Sequence, residues 1–281
     1  MDIGSYYSRS IDLFAKNPML AVPTLIGYIL IYAITFIATL FLIFGVYGFN
    51  FMDYSPSFSS PDWGVIWLSV GIIIVIGIIT WIISSMIYAA TIGMSKKIIS
   101  GKSPDLGNGW KYIKKNLLKI LGIYILEFLL ALAACIPIIL GVAAVIFYPD
   151  NFLSIIGAFI GGLITLILII AILIFLIFTY QSAIVGKKSI IGSLKESYKL
   201  VRKNFFDIIV VLIINAFVIG TIMTLLLFFN IIIGLIPFIG GIITAIIGII
   251  VYTIIFPYFT LVLTYLYMDI KDMLPKEVEY Y

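Results

Sequence analysis

"WKYIKKN", residues 110–116, stands between two long apolar stretches, and near-copies occur as "IDLFAKN" at 11–17 and "YKLVRKN" at 198–204. Each copy closes a stretch that alternates apolar and charged residues, and each leads into a long apolar run. Leu106, Trp110, Ile113 and Leu117 recur at +4, +3 and +4, as do Leu194, Tyr198, Val201 and Phe205. Ile3, Tyr7, Ile11 and Phe14 follow +4, +4 and +3. This spacing makes one apolar face on a helix. The three stretches therefore read as amphipathic helices lying in the membrane interface, apolar face to the acyl chains and charges to the headgroups. The Lys-Asn pairs at 16–17, 115–116 and 203–204 mark where the chain is expected to turn into the bilayer.

The apolar runs set the class. Of 281 residues, 63% are hydrophobic and 11% charged, against about 25% charged in soluble domains. A soluble core cannot absorb that much apolar surface, and leaving it exposed would cause aggregation. A membrane helix needs about 20 apolar residues, and six runs qualify, over 19–48, 65–94, 118–147, 154–180, 208–230 and 241–268. The first run, from about Pro18, is too long for the apolar segment of a signal peptide, so none is expected to be cleaved.

Charge placement orients these spans. With the N-terminus, 95–119, 181–207 and the C-terminus on one side, that side holds all 17 Lys and Arg and 9 of the 13 acids. The other side carries no Lys or Arg and three acids, Asp53, Asp62 and Asp150. Lysine and arginine bias in short loops sets topology, so both termini are expected in the cytoplasm of a cell-membrane protein. The fold expected is all-α: one integral membrane helical bundle over 1–281, six transmembrane helices as three hairpin repeats (about 1–95, 96–185 and 186–275), each with a cytoplasmic amphipathic interfacial helix. "KKIISGKS" at 96–103 echoes "KKSIIGS" at 187–193, which supports the repeat. Two helix starts are predicted: a capping box at Ser193-Leu-Lys-Glu196, and a Ser103 cap before Pro104 at the first helical position.

"PYFTLVLTYLYMDIKD" (257–272) and "SLKESYKLVRKNFFDIIVVLI" (193–213) resemble the multi-helix membrane domain that precedes the catalytic domain in some bacterial glycerophosphodiester phosphodiesterases, and that occurs alone as uncharacterised bacterial and archaeal proteins. Tyr267, Asp269 and Lys271 fill the places of that family's Tyr-Tyr-Asp-Leu-Arg-like close, while Met268 and Lys271 depart from its commoner Tyr and Arg. The resemblance covers about 100–275. It implies a polytopic fold and no catalytic residue, because the phosphodiesterase chemistry belongs to a separate soluble domain whose histidines have no counterpart here.

The chain has no histidine and one cysteine, Cys135. Serine–histidine triads, histidine-bearing zinc sites and haem axial histidines are thereby excluded. "GKS" at 101–103 lacks the upstream glycine and strand of a P-loop, and the basic residues lie on short membrane-tethered helices with no nucleic-acid-binding fold. No catalytic residue, metal site or cofactor is expected.

Glu127 is the one acid or base deep inside a span, nine residues past Leu118 and so about 13 Å into the bilayer. An ionisable group at that depth is a functional hypothesis: it can hold a proton, a cation or a headgroup amine. It can equally lock two helices together, with Asn215 as the candidate partner. Lys115, Lys188, Lys195, Lys199, Arg202 and Lys203 are candidate lipid-headgroup contacts. Small-residue stripes at Gly157, Gly161 and Thr165, and at Gly241, Ala245, Gly248 and Tyr252, suit helix packing or a ligand surface. Pro23, Pro137 and Pro257 are expected to kink spans. "NIIIGLIPFIGG" (230–241) is either a tight turn or a re-entrant dip, and "FNFMDYSPSFSSPDWG" (49–64) is a loop that can cap a cavity.

The function expected is non-enzymatic: binding or moving a lipid or small amphiphile across or within the bilayer. The alternative is a structural or assembly scaffold for a partner protein. Expected partners are membrane lipids, with further copies of the chain or a membrane partner protein, and no nucleic acid.

Overall fold

The computed structural model describes residues 3–42, 63–236 and 239–275, which form ten α-helices and no strand. In order these are α1 (Ile3–Lys16), α2 (Val22–Phe41), α3 (Trp63–Ile99), α4 (Leu106–Ala134), α5 (Ile136–Phe147), α6 (Phe152–Phe175), α7 (Thr179–Ile184), α8 (Ile190–Lys203), α9 (Phe205–Gly234) and α10 (Ile239–Ile270), with a 3-10 turn over Pro18–Ala21. Six segments are long and apolar enough to cross a membrane: Pro18–Phe41, Ile66–Ile99, Leu106–Ala134, Phe152–Ile184, Phe205–Gly234 and Ile239–Ile270. The expected loop at 49–64 falls almost wholly outside the described residues.

The helices are longer than a bilayer requires. α3, at 37 residues, rises about 55 Å against a hydrocarbon core of about 30 Å. The surplus is gathered at the end where the lysines lie. There Ala89–Ile99 of α3, Ile120 and Ile123 of α4, all of α7 and Leu261–Met268 of α10 form the main core, joined by Tyr6, Leu20, Val201, Ile208 and Val211. Toward the opposite end large apolar side chains face outward: Ile73 is 60% exposed, Phe159 67% and Phe147 76%. Lipid tails are as apolar as these side chains, so nothing drives them inward.

The α5–α6 pair packs closely on itself. Pro137, in the first turn of α5, has no N–H, and the Ile138 N–H donates instead to Thr165 Oγ1 on α6 at 3.3 Å. Gly161 lies against the Pro137 carbonyl and Gly141 against the Ala158 backbone, where neither has room for a Cβ. Gly161 and Thr165 are thus packing residues, while a Cβ on Gly157 would meet nothing. Gly248 takes the Tyr32 hydroxyl, and Gly241 is open.

Several boundaries differ from expectation. α4 runs unbroken through Lys115-Asn116, so the second interfacial stretch and its span are one helix. The third span breaks instead at Cys135, just before Pro137. The caps are Asp105, accepting from the Asn108 N–H, and Ser189, accepting from the Gly192 N–H. Ser103 and Ser193 do not fill those places; the Ser193 hydroxyl donates to the Ser189 carbonyl. Pro23 sits in the first turn of α2, where proline is tolerated, and Pro257 lies inside α10. Most of 230–241 belongs to helix ends: α9 reaches Gly234 and α10 starts at Ile239.

α1 and α8 each turn a narrow stripe into the bundle. Their buried stripes are Tyr6 and Ser10, and Ser193, Ser197 and Val201, while Ile11 is 56% and Tyr198 47% exposed. Small serines let both helices lie close against the bundle. The three asparagines of the repeated word share one bond: Asn17, Asn116 and Asn204 each donate Nδ2 to the carbonyl four residues earlier, at 2.9–3.0 Å.

Candidate functional site

Glu127 is half-buried on α4. Its Oε2 accepts a 2.5 Å hydrogen bond from the hydroxyl of Tyr180 on α7; Oε1 has no protein partner among the described hydrogen bonds. Three tyrosines crowd this carboxyl. The Tyr180 ring lies 4.9 Å from that of Tyr88 on α3 and 5.1 Å from that of Tyr124 on α4, and Tyr88 meets Phe256 edge-on at 5.1 Å. With these tyrosines Glu127 lines a cavity of about 410 Å³, whose other walls include Phe128, Ala131, Ile169, Leu173 and Ile177. Glu127 is the one acidic side chain in that lining, and no basic one is present.

Tyr180 reaches Glu127 because the fourth span is broken. α6 stops at Phe175 and the chain restarts as α7 at Thr179, with no proline or glycine between. Ser197 of α8 takes up the backbone groups freed there: it accepts from the Phe178 N–H at 3.1 Å and donates to the Phe175 carbonyl at 2.8 Å. Glu196, next to it, accepts from the Ser182 hydroxyl of α7 at 2.5 Å and pairs with Lys271, just beyond α10, at 2.7 Å. Burial works to raise the Glu196 carboxyl, but the Lys271 ammonium and the Ser182 hydroxyl outweigh it and hold the group below its ordinary value. Glu196 therefore ties α7, α8 and α10 rather than capping α8 with Ser193.

Asn215 is placed elsewhere. Its Oδ1 accepts from the Tyr7 hydroxyl of α1 at 2.7 Å, a proton shared with the Val211 carbonyl at 3.1 Å. Burial pushes the Tyr7 hydroxyl up to about 12, so it stays a donor at any ordinary pH. Glu127 and Asn215 do not bond to each other, and Tyr180, which the sequence reading missed, is the partner that Glu127 has. No local signal marked Tyr180, because the break that turns it inward is held by a side chain 19 residues later.

Of the candidate headgroup contacts, Lys195, Lys199, Arg202 and Lys203 are exposed on α8, away from its serine stripe, and Lys188 is exposed just before it. Lys115 is separate, on α4. An apolar cavity of about 400 Å³ lies between α2, α3 and α4, lined by Pro23, Gly27, Leu30, Met86, Trp110 and Ile113 among others. No group of three or more metal-ligating side chains converges among the described residues.

The match to a family model runs over residues 1–279, and that family is described as a domain of unknown function, DUF7847. The chain belongs to the DUF7847 family. The match takes in all ten helices. No curated protein and no solved structure gives a match. At the close of the last span of this DUF7847 chain Tyr6 donates to Asp269, Lys271 pairs with Glu196, and Tyr267 is fully buried.

Proposed function

We propose that this DUF7847 protein is a non-catalytic, multi-pass protein of the cell membrane that binds or moves a lipid or other small amphiphile across or within the bilayer. The observation that carries this reading is Glu127, a lone carboxyl on the wall of a cavity inside a span whose other lining is tyrosine, phenylalanine and aliphatic side chains. An unpaired carboxylate at such depth is costly. An amine or hydroxyl headgroup bonded to Oε1 would relieve that cost, while the apolar wall takes the chain attached to it. The cavity beside Trp110 supplies a second chain-sized surface. A reaction is disfavoured because acid–base chemistry needs positioned partners, and of the three tyrosines around Glu127 only Tyr180 bonds to it, with no second carboxyl and no basic group in the cavity lining.

The threading proposed has both termini and every Lys and Arg in the cytoplasm, with three hairpins, the first and third entered through α1 and α8 and the second through the continuous α4. The shared bond of Asn17, Asn116 and Asn204 supports common descent of the three units. Thiol labelling in a Cys135→Ser background tests this threading. A cysteine at Ser57 should label only from outside, and one at Lys188 only from inside; labelling from one compartment would overturn it.

The binding reading is tested with a photoactivatable alkyl-amine lipid analogue in membranes. The expected cross-links map to α4 and α6 and weaken in Glu127→Gln. Cross-links spread evenly over lipid-facing residues and indifferent to Glu127 would refute it.

A scaffold role is the second reading. It is favoured by the α5–α6 pair, which packs mainly on itself and leaves its outer apolar faces to lipid or a partner.

A further inference from the structure

The acidic residues of this chain do not account for one group of its lysines. Lys96 and Lys97 from the last turn of α3, Lys111, Lys115 and Lys119 from α4, and Lys187 from the turn after α7 surround a cavity of about 350 Å³. Asn108, Tyr112, Asn116 and Ile184 complete its lining, and no acid is among them. None of the six lysines makes an ion pair with a described residue.

The arrangement is unfavourable in two ways. Lys111, Lys115 and Lys119 stand at i, i+4 and i+8 on one face of α4, where like charges repel. Lys187 has φ of 57°, a left-handed conformation that glycine takes without strain and lysine does not. The residue before it, Gly186, is wedged against the Tyr267 hydroxyl and the Ser182 carbonyl, which leave no room for a Cβ. The turn thus presents a strained lysine at the rim. Lys96 is fixed as well, its Nζ donating to the Val185 carbonyl at 3.2 Å. Snorkelling to headgroups explains outward lysines such as Lys114, which lies over the Trp110 ring at 5.4 Å. It does not explain six that converge from three elements.

We propose that this basin is a binding site for a compact, multiply charged anion bearing phosphate groups. Lysine ammonium groups serve phosphate as point-charge donors, and basic pockets between membrane helices on the cytoplasmic side suit phosphate headgroups. Such an anion offsets the mutual repulsion of these lysines. The site shares no lining residue with the Glu127 cavity, and Lys119 lies eight residues, or about 12 Å, below Glu127 along α4. The inference stands whatever the upper cavity holds.

The phosphate can belong to a lipid headgroup or to a soluble anion, and the experiment separates the two. Full-length protein in phosphatidylcholine nanodiscs is titrated with tripolyphosphate by calorimetry. In parallel, protein in nanodiscs doped with phosphatidic acid is examined by native mass spectrometry for retained lipid. Three triple variants accompany the wild type: K111Q/K115Q/K119Q, the charge-matched control K195Q/K199Q/R202Q on α8, and the charge-keeping K111R/K115R/K119R. Saturable binding of tripolyphosphate assigns a soluble anion, and selective retention of phosphatidic acid assigns a lipid. In either case the basin Gln variant is expected to bind about tenfold or more weakly than the α8 control, with the Arg variant near wild type. Equal weakening in the basin and α8 variants, or no saturable binding of either probe by the wild type, overturns the site.

Discussion

The Tyr180 hydroxyl sits 2.5 Å from Glu127 Oε2 and joins α7 to α4 across 53 residues of sequence. Removing either partner has distinct consequences. Tyr180→Phe leaves the carboxyl without its donor and is expected to lower stability by about 1–3 kcal/mol. Glu127→Gln keeps an acceptor of the same size and is expected to cost less than about 1 kcal/mol, while weakening amphiphile binding. Thermal unfolding of both variants in one detergent checks the order; a larger loss for Glu127→Gln would make Glu127 a structural lock.

Ser197→Ala is expected to destabilise by about 1–3 kcal/mol, because it strands the Phe178 N–H and the Phe175 carbonyl inside the packed end. Since that break positions Tyr180, the same variant should loosen the Glu127 site. Hydrogen exchange should report faster exchange at 176–182, and unchanged protection there would contradict the role given to Ser197.

Stability should fall in acid through Glu196. Its carboxyl is held below its ordinary value, so it contributes fully above the ordinary glutamate value of about 4.3. That contribution is lost as pH drops through the lower, folded-state value. Glu196→Gln should cost about 2 kcal/mol at neutral pH and flatten the acid limb of a stability–pH curve. An acid limb of undiminished steepness in the variant would assign that dependence to other groups.

Neighbouring glycines of α6 should behave oppositely. Gly161→Ala forces a methyl into the Pro137 carbonyl and is expected to cost about 1–3 kcal/mol. Gly157→Ala meets open space and should gain up to about 1 kcal/mol from helix propensity. Detergent-induced unfolding of the two variants measures the difference.

These predictions rest on features of unequal legibility in the sequence. The six spans could be read because a window of about 20 apolar residues has few other uses. Glu127 stood out because charge is rare at that depth. The break after Phe175 could not be read, since no proline or glycine marks it and its support comes from Ser197 on another helix. The asparagine word ended two helices and not the third. Pro18 follows Asn17 and cannot continue a helix, whereas Leu117 follows Asn116 and can. The inward stripes of α1 and α8 carry the serines Ser10, Ser193 and Ser197, which apolar periodicity does not mark. Asn215 is polar and lies within a span, as a partner of Glu127 would, whereas Tyr180 closes the run 154–180, which reads as one straight helix.

The central claim is that the Glu127 cavity holds an amphiphile. Native mass spectrometry of gently extracted protein tests it most directly, comparing wild type with Ala131→Trp, which fills the cavity from α4. The account predicts a bound mass of lipid size on the wild type that is lost or sharply reduced in Ala131→Trp. A bare wild-type mass, or equal adducts on both proteins, would contradict it.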